Sequence, residues 1–477
     1  MLSLGVGYYD FERKRRFSSK SERSYEKDII MTTPIYDFVK KYAESKIARF
    51  HMPGHKGVGP LGLEKYDITE IKGADVLYSA DGIIEESENN LSELYGTEHS
   101  FYSTEGSTLA IKAMLAIVID DRKENERPLI LAGRNAHASF VRAAALLDID
   151  VEWIYPNEQQ HLCECSIAPL DIQSAIESLN RKPCAVYVTS PDYLGNMLNI
   201  SDLSRCCRRY NIPLIVDNAH GAYLKFLPDD LHPISLGAAM CVDSAHKTLP
   251  VLTSGAYLHI SKNFPGLAER ARAALSLFAS TSPSYLTLCS LDLCNERLAT
   301  GYAEKIASFA EKMIGVKGKI RSLGYELNGD NYRKYTRNEP FKITIRTGVG
   351  LASHLRDWEI EPEYSDSEFT VLMLTPENTE DDMDRLIDAL AAYDKPKKID
   401  EPILCFPYKH EAPMTVREAI FSQSRVISVE SAVGRICAAP SVSCPPAVPI
   451  VMSGEQITKE DVRLFKHYGI EKVSVVK

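Results

Sequence analysis

The chain has 477 residues, 44% hydrophobic and 25% charged, which excludes extended disorder and low complexity and exceeds what one hydrophobic core usually holds. Its 55 Lys and Arg against 65 Asp and Glu leave a net charge of -10, an argument against nucleic-acid or anionic-membrane surfaces and in favour of small cationic partners. Eleven cysteines without a C-x-x-C pair make neither a disulfide framework nor a zinc pattern, and neither a membrane-length apolar run nor a signal peptide is evident, so a reduced, cytoplasmic protein without a metal site is expected.

Residues 1–30 are polar, with Arg13-Lys14-Arg15-Arg16 at their middle and no helical or strand period, and read as a disordered or non-native extension. Thr33 and Pro34 then open a helix whose Ile35, Phe38, Val39 and Tyr42 share one face, part of an N-terminal arm over 31–60 that should dock on something. Over a large domain assigned to 61–300, helical segments at 84–95, 107–120, 138–147, 171–180 and 202–210 alternate with apolar runs at 129–131, 151–155, 185–188, 214–216, 240–242 and 256–260. That alternation predicts a mainly parallel α/β sheet with helices on both faces, with ligands bound at the carboxyl ends of its strands. A long helix from Tyr285 to about Ser322, ended by Gly324, leads into a smaller C-terminal α+β domain over 301–477. Within it, strands are expected near 341–346 and 368–374, a helix at 380–392, and a linker at Lys395-Pro396-Lys397-Lys398 before a last subdomain.

Two strand ends carry polar residues where apolar runs stop: Asp217 after Leu214-Ile215-Val216, and Ser244, His246 and Lys247 after Met240-Cys241-Val242. An α/β sheet points both into one crevice. A lysine and a carboxylate so placed suit pyridoxal phosphate, the lysine binding the aldehyde and the carboxylate keeping the pyridine nitrogen protonated. An aspartate at a strand end is also a common cap, and His-Lys recurs at His55-Lys56, so the pair alone decides nothing. A phosphate cradle tips the balance: Gly106, Ser107 and Thr108 open a helix, 109–119, that is apolar almost all round. After the 129–131 strand, Arg134-Asn135-Ala136-His137 brings an imidazole toward the same crevice. Gly57-Val58-Gly59-Pro60-Leu61-Gly62 matches G-x-G-x-x-G, but no strand precedes it, and Pro53-Gly54 keeps His51 and His55 off a shared helical face.

In chain order, His51-Met52-Pro53-Gly54-His55-Lys56-Gly57, Gly106-Ser107-Thr108, Arg134-Asn135-Ala136-His137 and Ser244-Ala245-His246-Lys247 together resemble the Orn/Lys/Arg decarboxylases. These are fold-type-I, pyridoxal-phosphate-dependent enzymes, and the likeness is to their short form. The resemblance implies Lys247 as the Schiff-base lysine, Asp217 as the pyridinium partner and His137 as the ring-stacking imidazole. It implies phosphate contacts from Gly106, Ser107, Thr108, Ser244 and His246, and from Thr281 or Ser282 toward a neighbouring subunit. Glu455 is the implied receptor of the substrate's distal cation, and His220 or His246 shares with Lys247 the task of reprotonating Cα. A homo-oligomer, at least a dimer with shared active sites, follows from the same resemblance. Departures from the family pattern are Glu105 beside the phosphate loop, Ala138 after the histidine, and Cys444-Pro445-Pro446 with Ser453-Gly454-Glu455 near the end.

The expected activity is decarboxylation of lysine, ornithine or arginine to carbon dioxide and a diamine or agmatine. The rivals are an aminotransferase or other lyase on the same cofactor, and a noncatalytic protein of that fold.

Overall fold

The computed structural model describes residues 31–119, 126–156, 161–329, 336–394, 405, 409–440 and 446–477. The 1–30 extension, the 395–398 linker and Cys444-Pro445 lie outside the described residues.

Helix α1 (Pro34–Glu44) buries Ile35 and Val39, as its spacing predicts, and docks through its N-terminus. The backbone N–H groups of Ile35 and Tyr36 donate to Asp292 Oδ2 at 3.0 and 2.9 Å, so a distant carboxylate satisfies amides that the helix leaves unpaired. The arm that follows carries no helix or strand over 46–73 and leaves Phe50 96% exposed, with Val58 and Leu61 also exposed.

After α2 (Ile83–Tyr95) the main sheet is laid down by β1 (His99–Ser103), β2 (Leu129–Gly133), β3 (Asp150–Ile154), β4 (Ala185–Thr189), β6 (Leu214–Asp217), β7 (Met240–Asp243) and β8 (Ala256–Ile260), with the short β5 (Asn196–Leu198) outside it. Their order is β1-β8-β7-β6-β4-β2-β3. The run β7-β6-β4-β2-β3 is parallel, while β8 is antiparallel to both β7 and β1. Crossover helices α3 (Gly106–Val118), α4 (Ala138–Leu147), α5 (Pro169–Ser178) and α6 (Ile200–Arg209) bury separate apolar clusters with the sheet. The parallel strands read as unbroken apolar runs because both faces are covered, each buried Val, Ile or Leu contributing roughly 1.5–3 kcal/mol. The edge strand β1, His-Ser-Phe-Tyr-Ser, escapes sequence reading because polar residues fall on both of its faces, so neither an apolar run nor an apolar–polar alternation marks it.

The short α7 (Ala245–Thr248) follows β7, and α8 (Ala271–Ser276) packs on α3. The expected single helix over 285–322 is two: α9 (Tyr285–Arg297) and α10 (Ala303–Ser322), with a kink at Thr300 and Gly301. Gly301 has φ +118°, a conformation open to glycine, and this breaks the run. The C-terminal part is α+β. Strands β9 (Glu326–Leu327), β11 (Lys342–Arg346), β12 (Tyr364–Ser365) and β13 (Phe369–Met373) form an antiparallel sheet ordered β12-β13-β11-β9, accompanied by α11 (Leu351–Asp357) and α12 (Glu380–Ala392). Strand β10 (Thr336–Asn338) reaches back to pair with β5 in a separate two-stranded ladder, which ties the C-terminal part to the segment between β4 and α6. The last residues form α13 (Val416–Phe421), α14 (Lys459–His467) and a three-stranded sheet, β14 (Ser424–Ser428), β16 (Lys472–Val476) and β15 (Cys437–Ala439).

Candidate active site

The carboxyl ends of β4, β6 and β7 and the N-terminus of α3 open on one cavity of about 340 Å³. Gly106, Ser107, Thr108, His137, Asp217, His220, Ser244, His246 and Lys247 all line it. Sequence reasoning named each of these, and the topology brings them together because parallel strands deliver their ends to one edge.

At the phosphate-loop side, Ser103 Oγ donates to Gly106 O at 3.0 Å and accepts from Glu105 N–H at 3.2 Å, closing a tight turn in which Gly106 has φ +72°. The Glu105 carboxylate turns away from the cavity and accepts from the Ser280 backbone N–H at 2.7 Å. Ser244 Oγ is buried in the cavity wall without a hydrogen-bond partner.

His137 caps α4, its Nδ1 accepting from the Ser139 backbone N–H at 3.1 Å, so the proton of the neutral ring is on Nε2. Burial, with Lys247 and Arg142 nearby, holds it below the usual histidine range against the pull of Asp217. Asp217, 3% exposed, accepts from Tyr187 OH at 3.0 Å and from Ala219 N–H at 3.2 Å, which fixes the carboxylate at the strand tip. His246 Nδ1 donates to Gly255 O at 3.0 Å, and burial lowers its pKa. Lys247 Nζ lies 3.1 Å from His220 Nε2. Burial first, then Lys247 whenever it is charged and the charge of Lys342, push His220 well below the ordinary histidine value, so its ring is neutral.

Three expected residues are elsewhere. Glu455 does not reach the cavity: it is buried 2.9 Å from the Arg134 guanidinium and accepts from Met452 N–H at 2.7 Å. Arg134 also donates to Ile450 O at 3.0 Å, so the pair fastens the C-terminal segment to the end of β2. Thr281 and Ser282 are exposed in the loop before α9 and line no part of their own chain's cavity. Residues the sequence reading missed do line it: Tyr193 and Glu363, the latter accepting from Tyr193 OH. Asp217 and Glu363 are the carboxylates of the wall, and among the described residues no arginine lines it. Lys342, behind the wall, was also missed, although a lysine inside the apolar strand Phe341-Lys342-Ile343-Thr344-Ile345 was the signal. Behind β7, Asp243 is buried between His232 (3.0 Å) and His259 (3.3 Å) and accepts from Asn218 Nδ2 at 2.7 Å, a cluster drawn from separate segments that no local spacing announces.

Comparison with known proteins decides the family. The pattern of the Orn/Lys/Arg decarboxylase major domain matches residues 33–329, and that of the Orn/Lys/Arg decarboxylase C-terminal domain matches 405–470. The chain belongs to the Orn/Lys/Arg decarboxylase family. It is an amino-acid decarboxylase of that family, a lyase with a fold-type-I architecture. An arginine decarboxylase of Bacillus subtilis is 29% identical over 471 residues, covering 91% of this chain and 93% of the relative. An arginine decarboxylase of Halalkalibacterium halodurans is 29% identical over 463 residues, covering 90% and 92%. Among solved structures, the Francisella novicida lysine decarboxylase superposes with a TM-score of 0.79 at 19% identity, covering 94% of this chain and 82% of that one. No helix among the described residues is long and apolar enough to cross a membrane.

Proposed function

We propose that the cavity around Lys247 uses pyridoxal phosphate to decarboxylate a basic amino acid. The observation that carries this reading is the convergence of Lys247, Asp217, His137 and the α3 N-terminus on one cavity. The residues fit the cofactor: Ser244 Oγ is buried in the wall without a partner, and Gly106, Ser107 and Thr108, which open α3, line the same cavity as Lys247 and Asp217. When bound, pyridoxal phosphate supplies a protonated pyridine ring that takes up the electron pair left at Cα as carbon dioxide departs.

The chain's own residues do the rest. Gly106, Ser107, Thr108, Ser244 and His246 would hold the phosphate, Asp217 would keep a proton on the pyridine nitrogen, and His137 would lie against the ring. Lys247 would supply the amine and, with His220 and His246, the proton that returns to Cα. Glu363, in the cavity wall, is the carboxylate we assign to the distal cation of the substrate, while the carboxylate of Glu455 is engaged by Arg134.

Thr281 and Ser282, and the exposed Phe50, Val58 and Leu61 of the arm, support a homodimer in which these segments reach the partner's site. The setting we assign is cytoplasmic, on the strength of the free thiols. Carboxyl-labelled arginine, lysine and ornithine test the function: one of them should release labelled carbon dioxide, and arginine comes first because of the named relatives. Formation of a keto acid in place of carbon dioxide would favour the aminotransferase.

A further inference from the structure

Two lysines meet one imidazole. His220 Nε2 lies 3.1 Å from Lys247 Nζ, and His220 Nδ1 lies 3.2 Å from Lys342 Nζ. Lys342 comes from β11 of the small sheet, is 4% exposed, and also reaches the backbone carbonyls of Asp192 and Tyr193, each at 3.2 Å. Its strand is anchored by Glu339, whose Oε2 accepts from the N–H groups of Phe341 (2.7 Å) and Lys342 (3.1 Å) and from Tyr223 OH. Glu339 Oε1 stands 3.9 Å from Lys342 Nζ.

An ammonium has three N–H donors and no lone pair, whereas a neutral imidazole has one N–H and one bare nitrogen. The two carbonyls and His220 Nδ1 are three acceptors, so the Lys342 ammonium spends all its donors. Nδ1 is then the bare nitrogen, and the ring proton sits on Nε2, aimed at Lys247 Nζ. A second ammonium cannot accept that proton; an amine with its lone pair can.

We propose that Lys342 is a positioning residue that fixes His220 as the Nε2–H tautomer, and that His220 thereby holds Lys247 as a neutral, nucleophilic amine. The groups facing the Lys247 cavity divide. Asp217 and Glu363 favour the ammonium, His137 and His246 oppose it when protonated, and Tyr193 and Cys163 are uncharged at neutral pH. The Nε2–H bond adds directly to the second side. Burial draws Lys342 below the ordinary lysine value while Glu339 and Asp192 oppose it, and its three acceptors keep it charged. The inference rests on Lys247 being the reactive amine, yet it is measured without cofactor or substrate, so a chain inert toward amino acids still gives an answer.

The test is competitive acetylation of the full-length chain, freed of pyridoxal phosphate, with labelled acetic anhydride across pH 6–11, read by mass spectrometry on the peptide containing Lys247. In Lys342→Met the labelling midpoint should rise by at least one pH unit, about tenfold less reactive amine at a given pH. His220→Phe should give the same rise, the double variant no further rise, and Lys342→Arg should restore most of the difference. A midpoint unchanged in folded Lys342→Met, or shifts that add in the double variant, would overturn the proposal. Should Lys342→Met fail to fold, His220→Phe alone carries the test, and no shift there is equally fatal to it.

Discussion

Arg134 and Glu455, 321 residues apart in sequence, meet at 2.9 Å in the interior. Each is effectively unexposed, so neither charge is solvated and each exists at the other's convenience. Burial alone would lower the guanidinium's pKa; Glu455 foremost, with Tyr155 and Asp461, more than restores it.

Glu455→Ala should therefore cost about 3–5 kcal/mol of stability, because it leaves a buried guanidinium uncompensated. Replacing both partners with apolar residues should recover most of that loss. Urea unfolding checks it. A Glu455→Ala protein of unchanged stability but with KM for the basic substrate raised would restore the substrate-binding role implied by resemblance.

Glu363 is the carboxylate assigned to the substrate's distal cation. Glu363→Gln should raise KM for the preferred basic amino acid by ~10- to 100-fold, the worth of one hydrogen bond to a charged group, with kcat changed less. Steady-state kinetics decide it, and an unchanged KM would remove Glu363 from the site.

Asp217 carries the proton balance of the ring. Asp217→Ala should retain bound pyridoxal phosphate while kcat falls by at least ~100-fold. Tyr187→Phe, which removes only the hydrogen bond to Asp217, should fall much less. Absorbance of the bound cofactor and turnover, measured on the same preparations, separate binding from catalysis.

His161 and Asp366 form a buried pair at 2.8 Å between the segment before α5 and the small sheet. Burial would raise Asp366, but the hydrogen bond and charge of His161 hold it at about 2. A depressed carboxylate contributes stability that is present above its unfolded value, ~4, and lost as pH falls through its folded value. Melting temperature should accordingly drop between pH 4 and pH 2, and the drop should shrink in Asp366→Asn. His161, lowered by burial but carried well above the ordinary histidine value by Asp366, has the opposite sign. Its contribution is complete below about 6.5 and fades as pH rises through its folded value, so Asp366→Asn should also flatten the alkaline limb.

The site was legible where chemistry coincides with a strand end. Asp217 and Lys247 each follow an apolar run, and a parallel sheet sends such ends to one edge, so one-dimensional pattern was enough. Lys342 opens β11 and Glu363 directly precedes β12, and it is tertiary packing of the C-terminal part that sets Glu363 in the cavity wall and Lys342 behind it, a placement that no local period encodes. Glu455 is paired with the buried Arg134 and lies outside the wall of its own chain's cavity, which could not be read in advance because a motif position says nothing of which cation will neutralise it. The helix expected over 285–322 breaks at Thr300 and Gly301, where the backbone freedom of glycine is invisible to hydrophobic periodicity. Strand β1 was missed because polar residues hide a strand even when nearly all of it is buried.

The most direct test of the account is the release of labelled carbon dioxide from carboxyl-labelled arginine, lysine and ornithine by the wild-type chain and by Lys247→Ala, both supplied with pyridoxal phosphate. The account predicts release from one of the three by the wild type and none above background by the variant. Equal release from both proteins, or none from the wild type with any of the three, would contradict it.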